Sequence, residues 1–260
     1  MKSAKFLLFI LLLSGFSVTS FIPAPPDPSE GMIKTVIIDP GHGGKDPGAV
    51  GKRYYEKDIS LQVGLQLKRI LNECLPHIKV VMTRDTDEFI ELHQRAAMAQ
   101  DNKGDFFISI HCNALENRTK FGTETYVLGI NPGQENYQTI IAENEAILFE
   151  ENYGELYGGF DPSSPEGFIY FKLLKNVFRT ESSHLAQKIQ HQYGDRLGRK
   201  SRGVKQAPFI VLYLSGMPAI LTEMGFITNY EEETFLASEV GQIFLATGIY
   251  RAVKAYNMEF

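Results

Sequence analysis

Three strand-like runs of the sequence end in a side chain that can bind a metal or carry a proton. The run TVIIDPGH ends in His42, DFFISIH ends in His111 and PAILTE ends in Glu223. In open α/β sheets, ligands bind in the crevice outside the carboxyl ends of the strands, so residues from three such ends can converge. A fourth candidate, Glu56, lies in YYEKDIS at the start of an expected helix, where the helix dipole favours a carboxylate.

Two imidazoles and one carboxylate form the ligand set of many hydrolytic zinc sites, with a fourth position for water and a second carboxylate nearby. This chemistry assigns zinc binding to His42, Glu56 and His111, and proton transfer to Glu223. The spacing alone does not decide it, because neighbouring ligands lie 14 and 55 residues apart and no HExxH motif fixes two of them on one helix. In the alternative interpretation His42 is a turn residue, His111 is a hydrogen-bonded strand end, and both glutamates are solvated or cap helices.

The elements that must position these residues alternate between strand-like and helix-like patterns. Ile59, Val63, Leu67, Ile70 and Leu71 form one helical stripe, which predicts a helix that covers a sheet. The alternation predicts one α/β domain, a central mostly parallel or mixed sheet flanked by helices on both faces. The apolar segments are 36–38, 59–71, 80–83, 92–100, 106–110, 125–128, 185–197, 209–212, 219–222 and 244–256.

The beginning of the chain has the pattern of a secretory signal peptide. Lys2 and Lys5 precede an apolar run from Phe6 to Leu13, and small residues follow at 18–20. We expect residues 1–20 to be removed, with a retained anchor as the alternative and no stable membrane span. Residues 21–31 contain four prolines and predict an extended linker, so the catalytic domain is expected over residues 32–258.

Charge and cysteine content narrow the classes of function. The chain of 260 residues has a formal net charge of −5, and removal of residues 1–20, with two lysines and no acids, gives −7. Such an acidic balance argues against a nucleic-acid partner held through phosphate contacts. Cys74 and Cys112 are too few for a disulfide framework, so we expect free thiols. Cys112 should point away from His111 in an extended strand and pack in the core.

One region interrupts the alternation. Residues 131–171 contain no Lys or Arg but eight acidic residues. We expect an acidic insertion over about residues 131–180, helical in its first half.

Six blocks of sequence, taken in order, resemble one known family, the N-acetylmuramoyl-L-alanine amidases of the amidase 3 type. The resemblance covers about residues 30 to 250. Its blocks are VIIDPGHGGKDPGAVG, YEKDISLQVGLQLKRIL, VVMTRDTDEFIELHQRAAMAQ, FFISIHCNA, GTETYVLG and RGVKQAPFIVL with MPAILTEMGFITN.

The resemblance implies a zinc-dependent hydrolase of peptidoglycan, active in the periplasm, that cleaves the amide between N-acetylmuramic acid and L-alanine. Matched block by block, the family's Zn²⁺ ligands fall on His42, Glu56 and His111, and its catalytic glutamate falls on Glu223. Two alternatives are a zinc peptidase or deacylase acting on other wall amides, and a non-catalytic peptidoglycan-binding protein.

The acidic insertion resembles the regulatory segment of some family members. There, a helix lies across the zinc cleft and a glutamate fills the open ligand position until an activator, often with a LytM-like domain, withdraws it. Glu143 is the first candidate for this inhibitory ligand and Glu145 the second; the alternative is a solvated acidic helix.

Three further residues lie near the matched motifs. Asp39 either orients a zinc-bound imidazole from outside the ligand set or forms a turn. Arg84 and Arg95 either hold loops and helices through salt bridges or contact the substrate.

Overall fold

The computed structural model describes residues 32–130, 133, 136–159, 161 and 177–259. The signal peptide and linker expected at residues 1–31 therefore lie outside the described residues, as does much of the second half of the acidic insertion. Among the residues described, no helix combines the length and apolar character needed to cross a membrane.

The centre of the molecule is a six-stranded mixed sheet with the order β2-β1-β3-β6-β4-β5. All neighbouring strands are parallel except β4 and β6, which are antiparallel. The strands are β1 Thr35–Pro40, β2 Lys79–Met82, β3 Phe106–Asn113, β4 Thr123–Leu128, β5 Ser201–Ala207 and β6 Ala219–Phe226.

Helices cover both faces of this sheet, so the predicted fold class is confirmed. One face packs mainly against α1, α5 and α8, and the opposite face packs against α2, α3 and α6. The helices are α1 Glu56–Cys74, α2 Leu92–Asp101, α3 Tyr137–Asn144, α4 Tyr153–Leu156, α5 Arg179–His191, α6 Ile210–Ser215, α7 Tyr230–Leu236 and α8 Glu239–Asn257. A 3₁₀ segment, Glu145–Phe149, follows α3, and a π turn, Gln192–Arg196, follows α5.

The α1 stripe explains how one of these layers forms. Ile59, Val63, Leu67 and Leu71 are almost fully buried, as expected for positions that recur on one face of a helix. They pack in a single core with residues of β1 and β3. Burial of such side chains contributes about 1.5–3 kcal/mol each, so this layer holds the start of α1 against the sheet.

On the opposite face, the strands change from apolar to polar towards one end of the sheet. Because successive side chains alternate between faces, Ile37 and Asp39 share this face in β1, and Phe107 and His111 share it in β3. Leu221 is followed by Glu223 in the same way in β6, and the apolar members belong to one core. The polar members therefore meet along a single edge of that core.

Candidate active site

His42 lies in the turn that follows β1, and this turn is compact because it contains glycines. His42 has a left-handed backbone, with φ 59°, a conformation uncommon for residues other than glycine. A Cβ added to Gly41 would lie 2.3 Å from the His111 ring, and one added to Gly48 would lie 2.5 Å from the His42 ring. Only glycine at these positions lets the backbone approach both imidazoles so closely.

Four side chains converge at this edge of the sheet: His42, Glu56, His111 and Glu143. Nε2 of His42 lies 3.2 Å from Oε2 of Glu56, and Nδ1 of His111 lies 3.0 Å from Oε1 of Glu56. Oε2 of Glu143 lies 2.6 Å from His111 Nδ1 and 3.3 Å from His42 Nε2. One ligand atom from each residue lies within 4.8 Å of all the others.

The four converging residues, each a candidate from the sequence, come from four separate elements. His42 comes from the turn after β1, Glu56 from the first turn of α1, His111 from β3 and Glu143 from α3 of the insertion. Glu145, the second inhibitory candidate, lies in the 3₁₀ segment outside this group. Glu56 is fully buried, so the alternative of a solvated helix-start carboxylate is wrong for it.

The far side of each imidazole is held by a hydrogen bond. His42 Nδ1 lies 2.8 Å from Oδ2 of Asp46, and His111 Nε2 lies 3.1 Å from Oγ of Ser109. Oγ of Ser109 donates in turn to Oδ2 of Asp39 at 2.7 Å. In the neutral form that binds a metal, these contacts place the ring protons on His42 Nδ1 and His111 Nε2, so that the lone pairs of the other two nitrogens face the group.

Asp39 therefore reaches an imidazole only through Ser109, whereas Asp46 contacts one directly. Sequence reasoning missed Asp46, although its place four residues after His42 in a glycine-rich turn was the available indication. Asp39 also forms an ion pair with Arg95 at 2.9 Å. Burial raises the pKa of the Asp39 carboxyl, but the charge of Arg95 and the hydrogen bonds from Ser109, Thr83 and Arg95 together outweigh it and lower the pKa.

The two buried arginines hold the turn after β1 from behind. Arg84 donates to the carbonyl oxygens of Pro40 and Gly41 at 3.0 and 2.7 Å. Arg95 donates to the carbonyl oxygens of Pro40 and His42, both at 2.7 Å. Each side chain is only 2% exposed, so the geometry supports the structural alternative over substrate contact.

The charges of the converging group favour a cation at its centre. Burial lowers the pKa of His111, but Glu143 and Glu56 outweigh it and raise the pKa to about 10. The same two carboxylates raise the pKa of His42 well above its ordinary range against the effect of burial. Two buried carboxylates thus attract positive charge to this point.

The donor set itself fits a divalent metal ion. Among the described residues, His42 Nε2 is buried without a hydrogen-bond partner, and Oε2 of Glu143 faces both imidazoles. A buried, unsatisfied nitrogen is costly unless another group satisfies it. Two imidazole nitrogens together with carboxylate oxygens match the ligands that zinc prefers. His42, Glu56, His111 and Glu143 are therefore able to hold such an ion.

Glu223 lies beside the group without joining it. It is paired with His111 across β3 and β6 and is fully buried, so it is not the solvated or capping acid of the alternative interpretation. Neither of its carboxylate oxygens has a hydrogen-bond partner in the described part of the chain. Burial, followed by the charges of Glu143 and Glu56, raises its pKa well above the ordinary value.

Comparison with known proteins defines the class. Residues 36–255 match the family model described as N-acetylmuramoyl-L-alanine amidase. The chain belongs to this family, and the resemblance stated from the sequence is confirmed.

Individual relatives agree with this assignment. The chain is 32% identical over 237 residues to the N-acetylmuramoyl-L-alanine amidase AmiC of Escherichia coli, covering 90% of this chain and 55% of AmiC. It is 34% identical over 230 residues to the uncharacterised protein YqiI of Bacillus subtilis, covering 88% of this chain and 87% of YqiI. The chain thus spans about half the length of AmiC but most of YqiI.

A solved structure agrees as well. The crystal structure of N-acetylmuramoyl-L-alanine amidase from Clostridium difficile 630 superposes with a TM-score of 0.64 and 32% identity, covering 86% of this chain and 96% of that one.

Proposed function

We propose that this chain is a zinc-dependent N-acetylmuramoyl-L-alanine amidase that hydrolyses the amide between N-acetylmuramic acid and L-alanine in peptidoglycan. The observation that carries the proposal is the convergence of His42, Glu56 and His111, with the unpartnered carboxyl of Glu223 beside them. Family membership supplies the substrate class.

The ligands assigned to zinc are His42, Glu56 and His111. When bound there, zinc supplies Lewis-acid activation of a water molecule and of the amide carbonyl. Asp46 holds the His42 ring, and Ser109 with Asp39 holds the His111 ring, so both lone pairs keep their direction.

Glu223 carries the proton in this proposal. In hydrolysis, the water oxygen bonds to the carbonyl carbon, the carbon–nitrogen bond breaks, and a proton must reach the departing nitrogen. Neither carboxylate oxygen of Glu223 has another described partner, so both are available to take a proton from water and deliver it to the L-alanine nitrogen. Its buried position keeps this transfer away from bulk solvent.

The insertion provides an inhibitory ligand in the same proposal. Glu143 contacts both imidazoles and would fill the ligand position that water needs. A cavity of about 260 Å³, lined by His42, Thr139 and Glu143, separates α3 from the turn after β1. An activator of the LytM-domain type is proposed to withdraw α3 and open this space to the substrate.

Export to the periplasm completes the proposal. Peptidoglycan lies in the cell envelope, and the expected signal peptide at 1–20 and linker at 21–31 would deliver the domain at 32–258 there.

Digestion of purified peptidoglycan followed by mass spectrometry tests the function. Amidase action predicts peptides with a free L-alanine amine and intact glycan strands. Cleavage inside the stem peptide would instead indicate a peptidase, and binding without any product would indicate a wall-binding protein.

Metal analysis of Glu223→Gln tests the division of roles. We expect one zinc per chain to remain while kcat falls by about 10²–10⁴-fold. The matched control is Glu145→Gln, which lies outside the converging group and should retain both zinc and turnover. Loss of zinc from Glu223→Gln would contradict the role assigned to this residue.

A further inference from the structure

A second polar site lies next to Glu223 on the side of β4. Glu124 of β4 is directly opposite Glu223 of β6, and both side chains are buried. Beside Glu124 is a cavity of about 250 Å³, here named the β4–β5 pocket. Its charged lining residues are three cations and two acids: Lys120, Arg202, Lys205, Glu116 and Glu124.

One carboxylate at the base of this pocket is shared by two cations. Oε1 of Glu124 accepts hydrogen bonds from Arg202 Nε at 2.6 Å and from Lys205 Nζ at 2.8 Å. Its other oxygen, Oε2, accepts from the hydroxyl of Tyr126 at 2.6 Å and from Nδ2 of Asn113 at 3.1 Å. Glu124 is thus fully engaged by four donors.

Arg202 retains donors that Glu124 does not use. Within the described residues, Nε is the atom of Arg202 that donates a hydrogen bond, while its two Nη groups have no acceptor. The guanidinium lies 5.6 Å from the ring centroid of Phe226, and the side chain is 20% exposed. A guanidinium with free Nη donors is suited to bind a carboxylate through two parallel hydrogen bonds.

The sheet order places this pocket on the side of Glu223 that is away from His111. His111, Glu223 and Glu124 lie on adjacent strands in the order β3, β6, β4, and Arg202 lies on β5 beyond them. If Glu223 protonates the departing nitrogen, the peptide attached to that nitrogen continues away from the histidines. The next strands in that direction carry Glu124 and Arg202.

The dimensions agree with this direction. Directly opposed residues in an antiparallel pair have Cβ atoms about 5 Å apart. Glu124 and Glu223 form such a pair, so their Cβ atoms lie at about this distance. Two residues of extended peptide span about 7 Å. A carboxylate on the second residue of the leaving peptide would therefore reach the pocket, while one further along would pass beyond it.

We propose that the β4–β5 pocket binds the free carboxylate of the second residue of the stem peptide, and that Arg202 determines the preference for it. The proposal rests on the function proposed above and names a recognition element for its substrate. An amidated second residue would place a neutral carboxamide against the same donors and would bind less well.

Paired substrates test this proposal in the full chain loaded with zinc. They are N-acetylmuramoyl-L-alanyl peptides whose second residue, a γ-linked glutamate, carries either a free α-carboxylate or an α-carboxamide. We expect kcat/KM to be about tenfold higher for the carboxylate, as for a hydrogen-bonded charge pair. The ratio of the two values cancels any fraction of the enzyme that the insertion holds inactive.

Arg202→Gln should reduce this ratio to about one while hydrolysis of the carboxamide substrate stays within about twofold, and Arg202→Lys should retain part of the preference. Arg202 is chosen because Lys205 also donates to Asn136 of the insertion, so that a Lys205 variant would disturb two contacts. The matched control is Arg118→Gln, an exposed arginine outside the pocket lining, which should keep the ratio of the unaltered chain.

Equal kcat/KM for the two substrates in the unaltered chain would overturn the proposal. A fall in both values with an unchanged ratio in Arg202→Gln would also overturn it, since that result indicates a purely structural residue. If neither substrate is hydrolysed by the unaltered chain or by Glu143→Ala, the proposed function fails, and calorimetric binding of the two peptides to the zinc-loaded Glu223→Gln variant tests the pocket separately. Tighter binding of the carboxylate would support the pocket, and equal binding would reject it.

Discussion

The two sides of the candidate metal centre are held in different ways. We name His42, Glu56 and His111 the ligand frame. They come from the turn after β1, from α1 and from β3, and each is fixed by further hydrogen bonds. Oε1 and Oε2 of Glu56 accept from the backbone amides of Cys112 and Ala49, both at 2.8 Å. The frame is therefore part of the core.

Glu143 lies instead on α3, a helix of eight residues without a side-chain N-cap. The described part of the insertion has its own contacts with the rest of the domain. Ile140 and Ile147 are fully buried, and Asn144 bonds the carbonyl of Pro208 and the amide of Ile210. The contrast indicates that three of the candidate ligands are held by the sheet and α1, whereas the fourth lies on an inserted segment and depends on the contacts of that segment.

Removal of a support from the ligand frame should give the largest effect. Asp46→Ala deletes the hydrogen bond to His42 Nδ1, and loss of such a partner lowers metal affinity by about 10–100-fold. Competition with a zinc chelator measures the change. Glu73→Ala, which removes an exposed ion pair with Arg69 at the far end of α1, is the control and should leave affinity near that of the unaltered chain; equal losses in both variants would argue against a special role for Asp46.

Removal of the ligand on the insertion should act in the opposite direction. Glu143→Ala vacates the position beside His111 and His42 without touching the ligand frame, so we expect basal hydrolysis to rise about tenfold, which corresponds to about 1.4 kcal/mol. Glu145→Ala, two residues away, should not change it. Unchanged hydrolysis in a folded, zinc-loaded Glu143→Ala protein would contradict autoinhibition and would make Glu143 a fourth structural ligand.

Weakening an anchor of the insertion should produce a smaller rise. The buried carboxylate of Glu150 accepts from the amide of Leu92 at 2.7 Å and from the hydroxyl of Tyr157 at 2.8 Å. Glu150→Gln weakens these charge-assisted contacts by about 1 kcal/mol, enough to raise basal hydrolysis a few-fold. Hydrogen exchange should quicken over α3 and stay unchanged over β3; faster exchange in β3 would show that frame and insertion open together.

The smallest effect is expected at the thiols. Cys112 is fully buried under the ligand frame and Cys74 is exposed, so an alkylating reagent should modify Cys74 alone in the native protein. The same pattern should persist in Glu143→Ala if release of the ligand leaves the frame closed. Modification of Cys112 in that variant, measured by peptide mass spectrometry, would show that the ligand frame opens when the insertion is released.

Much of the frame could be predicted because the sequence records the change from apolar to polar along each strand. The runs that end at His42, His111 and Glu223 each show this change. Cys112 packs on the face opposite His111, as the alternation of side chains in a strand predicts. Strand β5 was missed because it is half-buried along most of its length and carries Arg202 and Lys205, so it lacks an apolar pattern. The apolar run at 209–212 lies instead mainly in helix α6.

Contacts that depend on turn geometry were the least predictable. The approach of Asp46 to His42 requires the left-handed backbone of that turn. The hydrophobic periodicity of the sequence does not indicate this backbone conformation. The position of Glu143 over the histidines depends on how the insertion returns across the sheet, so the sequence offered it only through a family resemblance. The pattern of apolar residues therefore predicted the sheet and the helices that cover it, whereas the contacts within the site depend on the local path of the backbone.

The direction of β4 has a consequence for the reach of the insertion. Because β4 runs opposite to β6, Glu124 at its start lies near Glu223, while Leu128 at its end lies at the far side of the sheet. Asn136, at the start of α3, is held by hydrogen bonds from Tyr126 of β4 and Lys205 of β5, and α3 then carries Glu143 over the histidines. The start of α3 is therefore anchored on the same two strands that line the β4–β5 pocket, so displacement of the helix would alter that pocket and release the inhibitory carboxylate in one movement.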